Sequence, residues 1–316
     1  MATTPWGFSA SSGYIGLFDL LTFMGQHVDA YVDRVHLEGA PDPTNVFGLG
    51  FNVVNGVHFT GEFPRSLTPL DWYFLSGSYT VRNSSFTSTY VGVSQDAFVK
   101  STRITIGGSP LAGNHFVGLC SGIDMETLQG STVDISYNES TGSCAAMWVV
   151  PWGLPFVTTS PSQYSIHNNK FFSSGQGAEG FYFIDNTSPH FIDAVAWNNA
   201  VELQNTLSEG IALVATRGVL LLNNSISGAG EVDAIGIYGG TLDTVIHNNL
   251  SGFALDSTQG VADIFLDAQA SQNLVVCSSP GASVLNLGSE NAVVGCQQPD
   301  PPPAASAKVS PRKKSL

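Results

Sequence analysis

The chain has 316 residues, of which 34 are glycine, 43% are hydrophobic and only 11% are charged, and its formal net charge is −14 at pH 7. This length suits one large repeat domain or two ordinary domains, and the composition lacks the Leu, Glu and Lys excess of a helical protein. An acidic protein repels polyanions, so nucleic acid is not an expected partner. No run of eighteen apolar residues occurs, so we expect no membrane span.

The N-terminal segment, residues 1–29, is the least regular part of the sequence. Its first residues contain neither a basic stretch nor a continuous apolar core, so no signal peptide is visible. The apolar residues of 13–24 fit the helical and the strand periods equally poorly, which leaves a capping helix and an irregular strand both open. The segment is either a cap for the domain that follows or the remnant of a longer front that held a cap and a secretion signal.

Short β-prone runs begin at residue 30. The first of them lie at 30–39, 51–60, 79–86, 102–106 and 132–137. They show no helical period of 3.6 residues, and each is short enough for a single strand. The runs therefore predict strands that recur at intervals shorter than an ordinary domain.

Between residues 164 and 271 one pattern occurs four times. An apolar run ends in a pair of asparagines at 168–169, 198–199, 223–224 and 248–249, and a second apolar run follows each pair. A unit of 25 to 30 residues with two or three strands cannot bury its own apolar face and must stack on copies of itself. Asn tolerates the left-handed backbone region, and equivalent Asn side chains on successive coils can hydrogen-bond in a ladder. We therefore interpret the pairs as structural.

Two further runs at 272–277 and 291–296 end the series. The whole set predicts one all-β solenoid of about ten coils over residues 30–296, with a stack of roughly 45 to 50 Å. Residues 297–316 are Pro-rich and basic, which predicts a disordered tail.

The four cysteines form two pairs that are each about one coil apart. Cys277 and Cys296 are one pair, and Cys120 and Cys144 are the other. Stacked positions on neighbouring coils lie within disulfide reach, so both bonds are geometrically possible. Two bonds would indicate an oxidising, extracellular or cell-surface location, and buried free thiols in a cytosolic protein are the alternative.

The repeated Asn–Asn turns, the glycine-led second strands and the coil length resemble the right-handed parallel β-helix superfamily, the pectin-lyase-like fold, over residues 30–296. This superfamily includes polysaccharide hydrolases and lyases, tailspikes and non-enzymatic surface proteins, so the resemblance implies a carbohydrate-related function by analogy of fold. The catalytic motifs of its best-known members are missing. The sequence has no Asp-Asp, no Gly-His-Gly and no Arg-x-Pro-x-x-Arg, and only 103–105 partly matches Arg-Ile-Lys.

Candidate catalytic residues follow from aligning the glycine-led strands. The alignment brings Asp96 and Asp124 to one strand end on adjacent coils, with Glu126 two residues further along the same face. Carboxyl groups about 5 to 5.5 Å apart suit retaining glycosidases, and a spacing of about 6.5 to 9.5 Å suits inverting enzymes. The same oxygens could hold Ca²⁺ if the protein is lyase-like. The alternative is that these Asp side chains end strands and bind turn amides.

Candidate substrate-binding residues lie nearby in the alignment. Trp148 and Trp152 offer faces for stacking on sugar rings, although an aromatic residue beside proline also packs under loops. Asp185 and Arg217 fall near the same strand end. No pair of histidines has metal-ligand spacing, so we expect no metal site.

Two functional hypotheses remain. The first is a polysaccharide hydrolase or lyase acting on a linear glycan along the helix face, and the acidic charge favours a neutral glycan over pectate. The second is a non-catalytic surface or glycan-binding scaffold, whose carboxylates are buried in turns or scattered around the perimeter.

Overall fold

In the computed structural model, the described residues comprise five short strand segments between 31 and 71 and most of the chain from 78 to 298. The described ranges are 31–33, 36–39, 53–55, 58–61, 70–71, 78–87, 91–95, 102–126, 130–150, 161–173, 179–185, 192–204, 208–228, 232–253, 262–278 and 281–298. Within them there are strands and turns and no helix. No helix in this part of the chain is long and apolar enough to cross a membrane.

Sheet I contains eleven parallel strands. They are β1 (Tyr31–Asp33), β3 (Val53–Asn55), β6 (Ser78–Arg82), β9 (Arg103–Gly107), β11 (Thr132–Ser136), β13 (Ser162–His167), β16 (Ile192–Trp197), β19 (Leu220–Leu222), β22 (Thr244–Ile246), β25 (Leu274–Val276) and β27 (Ala292–Val294). Each strand pairs with the strand one coil earlier and the strand one coil later, except that the terminal strands β1 and β27 have one neighbour each.

The remaining sixteen strands are joined by two long bent strands, β10 (His115–Glu126) and β12 (Glu139–Val150). The first half of β10 pairs with β7 and its second half with β8, so the two halves belong to different faces, which we call sheets II and III. Besides these halves, sheet II contains β2 (His36–Gly39), β4 (His58–Gly61), β7 (Ser85–Thr87), β14 (Lys170–Ser173), β17 (Ala200–Leu203), β20 (Ser225–Gly228) and β23 (Asn249–Ser251). Sheet III contains β5 (Leu70–Asp71), β8 (Val91–Gln95), β15 (Glu179–Ile184), β18 (Glu209–Val214), β21 (Ile235–Tyr238), β24 (Ile264–Leu266) and β26 (Val284–Asn286).

Each coil therefore runs from sheet I to sheet II to sheet III and back. Alternate residues point inward, as Tyr164 and Ile166 do on β13 and as Phe181 and Phe183 do on β15, and they form one continuous apolar core. Burying each such side chain contributes about 1.5 to 3 kcal/mol. A coil gains this stabilisation only when neighbouring coils cover its inward side chains. The predicted all-β parallel β-helix is confirmed.

The predicted asparagine ladder is also confirmed, at the corner between sheets I and II. Each side-chain amide donates to the side-chain oxygen of the next asparagine, through five bonds of 2.9 to 3.0 Å. The ladder residues are all buried and are Asn114, Asn138, Asn169, Asn199, Asn224 and Asn248.

The register corrects the alignment of the fourth asparagine pair. Asn168, Asn198 and Asn223 precede the ladder residue and adopt positive φ angles of 56°, 53° and 53°. In the fourth coil His247 has that conformation, with φ of 53°, and Asn248 is the ladder residue. The fourth pair is thus one residue out of step with the other three, because only the buried position requires Asn.

The last coil is closed by a disulfide between Cys277 and Cys296, whose Cα atoms are 5.2 Å apart. This prediction is confirmed. The side chains of Cys120 and Cys144 lie outside the described residues, as do segments 1–29 and 299–316. The second disulfide, the cap, the disordered tail and the domain boundaries therefore stay predictions.

Candidate functional site

The outer face of sheet III carries the described side chains that best suit chemistry. Its outward positions are recognisable because each lies between two core residues, as Asp124 does between Ile123 and Met125. In-register pairing stacks these positions into one column across eight strands. The column consists of Ser94, Asp124, Trp148, Tyr182, Ala212, Gly236, Phe265 and Leu285.

The structure brings two of the predicted residues together. Asp124 pairs in register with Trp148 on the adjacent strand. Asp124 is buried, with 8% of its surface exposed, and its partner on the preceding strand is Ser94. Asp96 is two residues past that partner and lies outside the described residues, so its separation from Asp124 stays untested.

Three further predicted side chains also lie outside the described residues. Glu126 and Trp148 belong to β10 and β12, but only their strand positions are described, and Trp152 falls in the undescribed range 151–160. The strand positions put Glu126 on the same face as Asp124, since Met125 between them points into the core. Their proposed roles remain untested.

Two predicted residues lie at the corner where sheet III leads into sheet I. Asp185 follows β15, is 3% exposed, and accepts a hydrogen bond of 3.0 Å from the backbone N–H of Ile192. Arg217 is exposed and forms an isolated bridge with Thr241. Asp185 thus shows the strand-ending behaviour that was the alternative reading of the aspartates.

A second pair of carboxylates on this face was missed in the sequence. Glu179 and Glu209 are the first residues of β15 and β18 and pair in register. Gly180 and Gly210 follow them, and a Cβ at either glycine would overlap Val201 or Ile226 in the core, so the glutamates leave the strands on the outer side. The repeated Glu-Gly at the start of two glycine-led strands was the available signal.

Glu209 leans along the outer face over Gly236. The Tyr238 hydroxyl donates a hydrogen bond of 2.8 Å to Glu209 Oε1. A Cβ on Gly236 would overlap both that oxygen and the Tyr238 ring. Glu209, Tyr182 and Tyr238 are each half-buried, so the carboxyl group lies in a partly open site between two tyrosines.

The electrostatics of the site keep both tyrosines protonated. Burial, followed by the charge of Glu209, raises the pKa of Tyr182 above its usual value. Burial raises the pKa of Tyr238, and Glu209, Asp233 and Asp267 raise it further. Tyr238 is therefore a hydrogen-bond donor at any physiological pH.

The other acids near Tyr238 bind backbone. Asp233 is buried and accepts a hydrogen bond of 2.8 Å from the N–H of Ala262. Asp267 Oδ1 accepts from the N–H groups of Gly239, Gln269 and Ala270. These two carboxylates therefore hold turns in place.

Beyond Tyr238 the same face becomes apolar. Ala262, Phe265 and Leu285 form a small buried cluster outside sheet III, and the rings of Tyr238 and Phe265 are 5.8 Å apart. In the described part of the chain, no three His, Cys, Asp or Glu side chains are grouped so as to hold a metal ion. The carboxyl group of Glu209 and the phenol groups of Tyr182 and Tyr238 are the reactive groups described on this face.

These features define a right-handed parallel β-helix with the pectin-lyase-like fold, and acidic and aromatic side chains lie on one of its outer faces. No protein-family model matches the chain, and no curated protein matches it.

Several solved structures are similar to the chain. One is a variant of the DFA-IIIase from Arthrobacter chlorophenolicus in complex with DFA-III, at 11% identity and a TM-score of 0.50, covering 81% of this chain and 67% of that chain. The Dettilon tailspike protein has 10% identity and a TM-score of 0.38, covering 80% and 61%. The A-module of a mannuronan C-5 epimerase from Azotobacter vinelandii has 12% identity and a TM-score of 0.25, covering 85% and 87%. At 11% identity the likeness to the DFA-IIIase variant concerns the fold alone.

Proposed function

We propose that this protein is a polysaccharide hydrolase that acts on a linear, uncharged glycan lying across the outer face of sheet III. The observation that carries the proposal is the pairing of Glu179 with Glu209 on adjacent strands of that face. Adjacent strands are about 4.8 Å apart, and two glutamate side chains that lean along the face in the same direction keep that spacing, which is close to the separation of about 5 to 5.5 Å between the two carboxyl groups of retaining glycosidases.

Such a pair supports a two-step hydrolysis. One carboxylic acid gives its proton to the glycosidic oxygen while the other, ionised, attacks the anomeric carbon as the glycosidic C–O bond breaks. Water then returns a proton to the first group and a hydroxyl to the sugar, which releases the second carboxylate. Trp148 and Tyr182 occupy the next two positions of the column after Asp124, and we propose that their rings stack on the sugar units.

Asp124 with Asp96 or Glu126 is the second candidate catalytic pair on the same face. Residues two apart on a strand are roughly 6.6 Å apart, which fits the wider spacing of inverting enzymes. Asp124 is three strands from Glu209, roughly 14 Å, so it forms a separate pair and cannot complete the Glu179–Glu209 pair. Arg217 is exposed at the corner beyond this face and is proposed to contact the glycan there, whereas the buried Asp185 holds the turn at that corner.

The local charge favours hydrolysis over elimination. A lyase removes the proton beside the carboxylate of a uronic acid unit. The described strands of sheet III contain no Lys or Arg to attract such a unit, and their Asp and Glu residues repel it. A Ca²⁺ ion would be needed only for a lyase acting on an acidic glycan.

The test is a set of neutral and acidic polysaccharides incubated with the full chain, assayed for new reducing ends and for unsaturated products. We expect reducing ends from a neutral glycan. Glu209→Gln and Glu179→Gln should each lower the rate by about 10²-fold or more, because each removes one part of the acid–base chemistry. Glu202→Gln, an exposed glutamate on sheet II, is the matched control. Full activity of both site variants would contradict the proposed pair, and loss in Asp124→Asn alone would favour the second pair.

A non-catalytic glycan-binding scaffold is the alternative function. It is favoured by the number of carboxylates that bind backbone amides instead of facing solvent, namely Asp185, Asp233, Asp243 and Asp267. Retarded migration of the protein in a gel containing a glycan, without release of any product from that glycan, would support it. The Cys277–Cys296 disulfide supports an extracellular location for either function.

A further inference from the structure

We infer that Tyr238 is a positioning residue that holds Glu209 as an ionised carboxylate over Gly236, and that Glu209 is therefore the attacking group of the pair. This inference rests on the proposed function and assigns the two glutamates different roles. Its basis is the 2.8 Å hydrogen bond from the Tyr238 hydroxyl to Glu209 Oε1, made between residues 29 positions apart in the sequence.

Gly236 makes this contact possible. It pairs with Ala212 on the adjacent strand, and the next position of the same column is Phe265. A Cβ at residue 236 would overlap Glu209 Oε1, the Tyr238 ring edge and the Tyr238 hydroxyl oxygen. Glycine thus leaves a gap in the outward column, and the Glu209 carboxyl group and the Tyr238 ring edge fill it.

The hydrogen bond has a defined direction. Tyr238 is partly enclosed, packs against Phe265 and lies near Glu209, Asp233 and Asp267, all of which favour its protonated form. A protonated phenol donates, so Glu209 Oε1 accepts. A hydrogen bond donated to a carboxylate stabilises its ionised form.

The two glutamates are therefore unequal. Glu209 is half-buried and receives a phenol hydrogen bond, whereas Glu179 is 5% exposed, and burial disfavours the ionised form of a carboxyl group. Glu209 attacks the anomeric carbon, and the electron pair of the breaking C–O bond takes the proton of Glu179. Water then supplies a hydroxyl to the sugar carbon and a proton to Glu179, and Glu209 leaves as a carboxylate.

The experiment compares wild type with Tyr238→Phe, which removes one oxygen and keeps the ring. The pKa of Glu209 is measured by ¹³C NMR of labelled glutamate carboxyl groups, with Glu209→Gln identifying the signal. We expect the pKa of Glu209 to rise in Tyr238→Phe. On a glycan that wild type cleaves, the acidic limb of the pH–rate profile should move to higher pH, and kcat should fall about tenfold or more with KM nearly unchanged. Tyr137→Phe removes a hydroxyl at the corner between sheets I and II, away from sheet III, and should leave the pKa of Glu209 unchanged.

The two proposals fail in different ways. An unchanged Glu209 pKa in a folded Tyr238→Phe variant would overturn the positioning role, whether or not any glycan is cleaved. A raised pKa without cleavage of any glycan would uphold the positioning role and contradict the hydrolase. Gly236→Ala is a second test, since displacement of the carboxyl group should also raise the pKa of Glu209 and should reduce kcat.

Discussion

The corner between sheets I and II and the outer face of sheet III use polar side chains in opposite ways. At the corner, six buried asparagines occupy one position on successive coils. The side-chain amide of each donates a hydrogen bond to the side-chain oxygen of the asparagine on the following coil, which makes five such bonds. On the outer face of sheet III, no residue type repeats along the described column. Instead Glu209 leans over Gly236 to reach Tyr238.

This difference separates stability from chemistry. A polar group that recurs in register inside the fold satisfies backbone and side-chain hydrogen bonds that water cannot reach, so its loss leaves several groups unpaired. A polar side chain on the outer face that bonds to a single side chain, as Glu209 does to Tyr238, contributes little to the stability of the stacked coils.

The largest effect on stability is expected at the middle of the ladder. Asn224 accepts hydrogen bonds from the backbone and side-chain amides of Asn199, and its own amide donates to Ala196 and Asn248. Asn224→Leu should lower the free energy of unfolding by about 3 kcal/mol, because it leaves several buried donors and acceptors unpaired. Chemical denaturation measures this change. A variant as stable as wild type would show that the ladder is not what holds the coils together.

The pH dependence of stability tests the buried tyrosines of the core, which contribute to the stack and not to the outer face. Burial, followed by the charge of Asp185, raises the pKa of Tyr164, and burial raises the pKa of Tyr79 from 10.0 to about 12. Above pH 10 the unfolded chain loses these protons and the folded chain keeps them, so stability is complete below pH 10 and falls as pH rises. Each such tyrosine contributes a slope of about 1.4 kcal/mol per pH unit.

The variant Tyr164→Phe isolates one tyrosine in that titration. Its stability should fall less steeply than that of wild type between pH 10 and pH 12, and the two slopes should coincide between pH 7 and pH 9. Urea unfolding at a series of pH values gives the slopes. Equal slopes above pH 10 would mean that Tyr164 ionises without unfolding.

A smaller loss of stability is expected at Asn223, the exposed residue that precedes the ladder residue Asn224. Asn223 precedes Asn224, is exposed and has a φ of 53°. Asn223→Leu should cost about 1 kcal/mol because a branched side chain disfavours left-handed backbone, while Asn223→Gly should cost nothing measurable. Loss of stability in the glycine variant equal to that in the leucine variant would show that the side chain, and not the backbone, is required.

The sequence predicted the fold and the ladder because both depend on repetition. The Asn pairs, the short apolar runs and the glycine-led strands each recur at coil length, so one correct coil predicts the others. It misaligned the fourth pair, since Asn248-Asn249 repeats the letters of the earlier pairs while the register assigns the ladder to Asn248.

The candidate site was harder to predict because its residues do not repeat from coil to coil. Asp124 and Trp148 were found as neighbours through the coil alignment, and the register bears out that pairing. Glu209 and Tyr238 lie on different coils and at different positions of their strands, and the gap at Gly236 is visible only once the outward column is known. A contact that runs diagonally across a sheet leaves no periodic signal in the sequence.

The most direct test of the central claim is the initial rate of glycan cleavage by Glu209→Gln, measured beside wild type and Glu202→Gln at a temperature where all three are folded. We expect a loss of about 10²-fold or more in Glu209→Gln, with an unchanged unfolding midpoint and a wild-type rate in Glu202→Gln. Equal rates in all three proteins, or no cleavage of any glycan by wild type, would contradict the claim that the outer face of sheet III is a hydrolytic site.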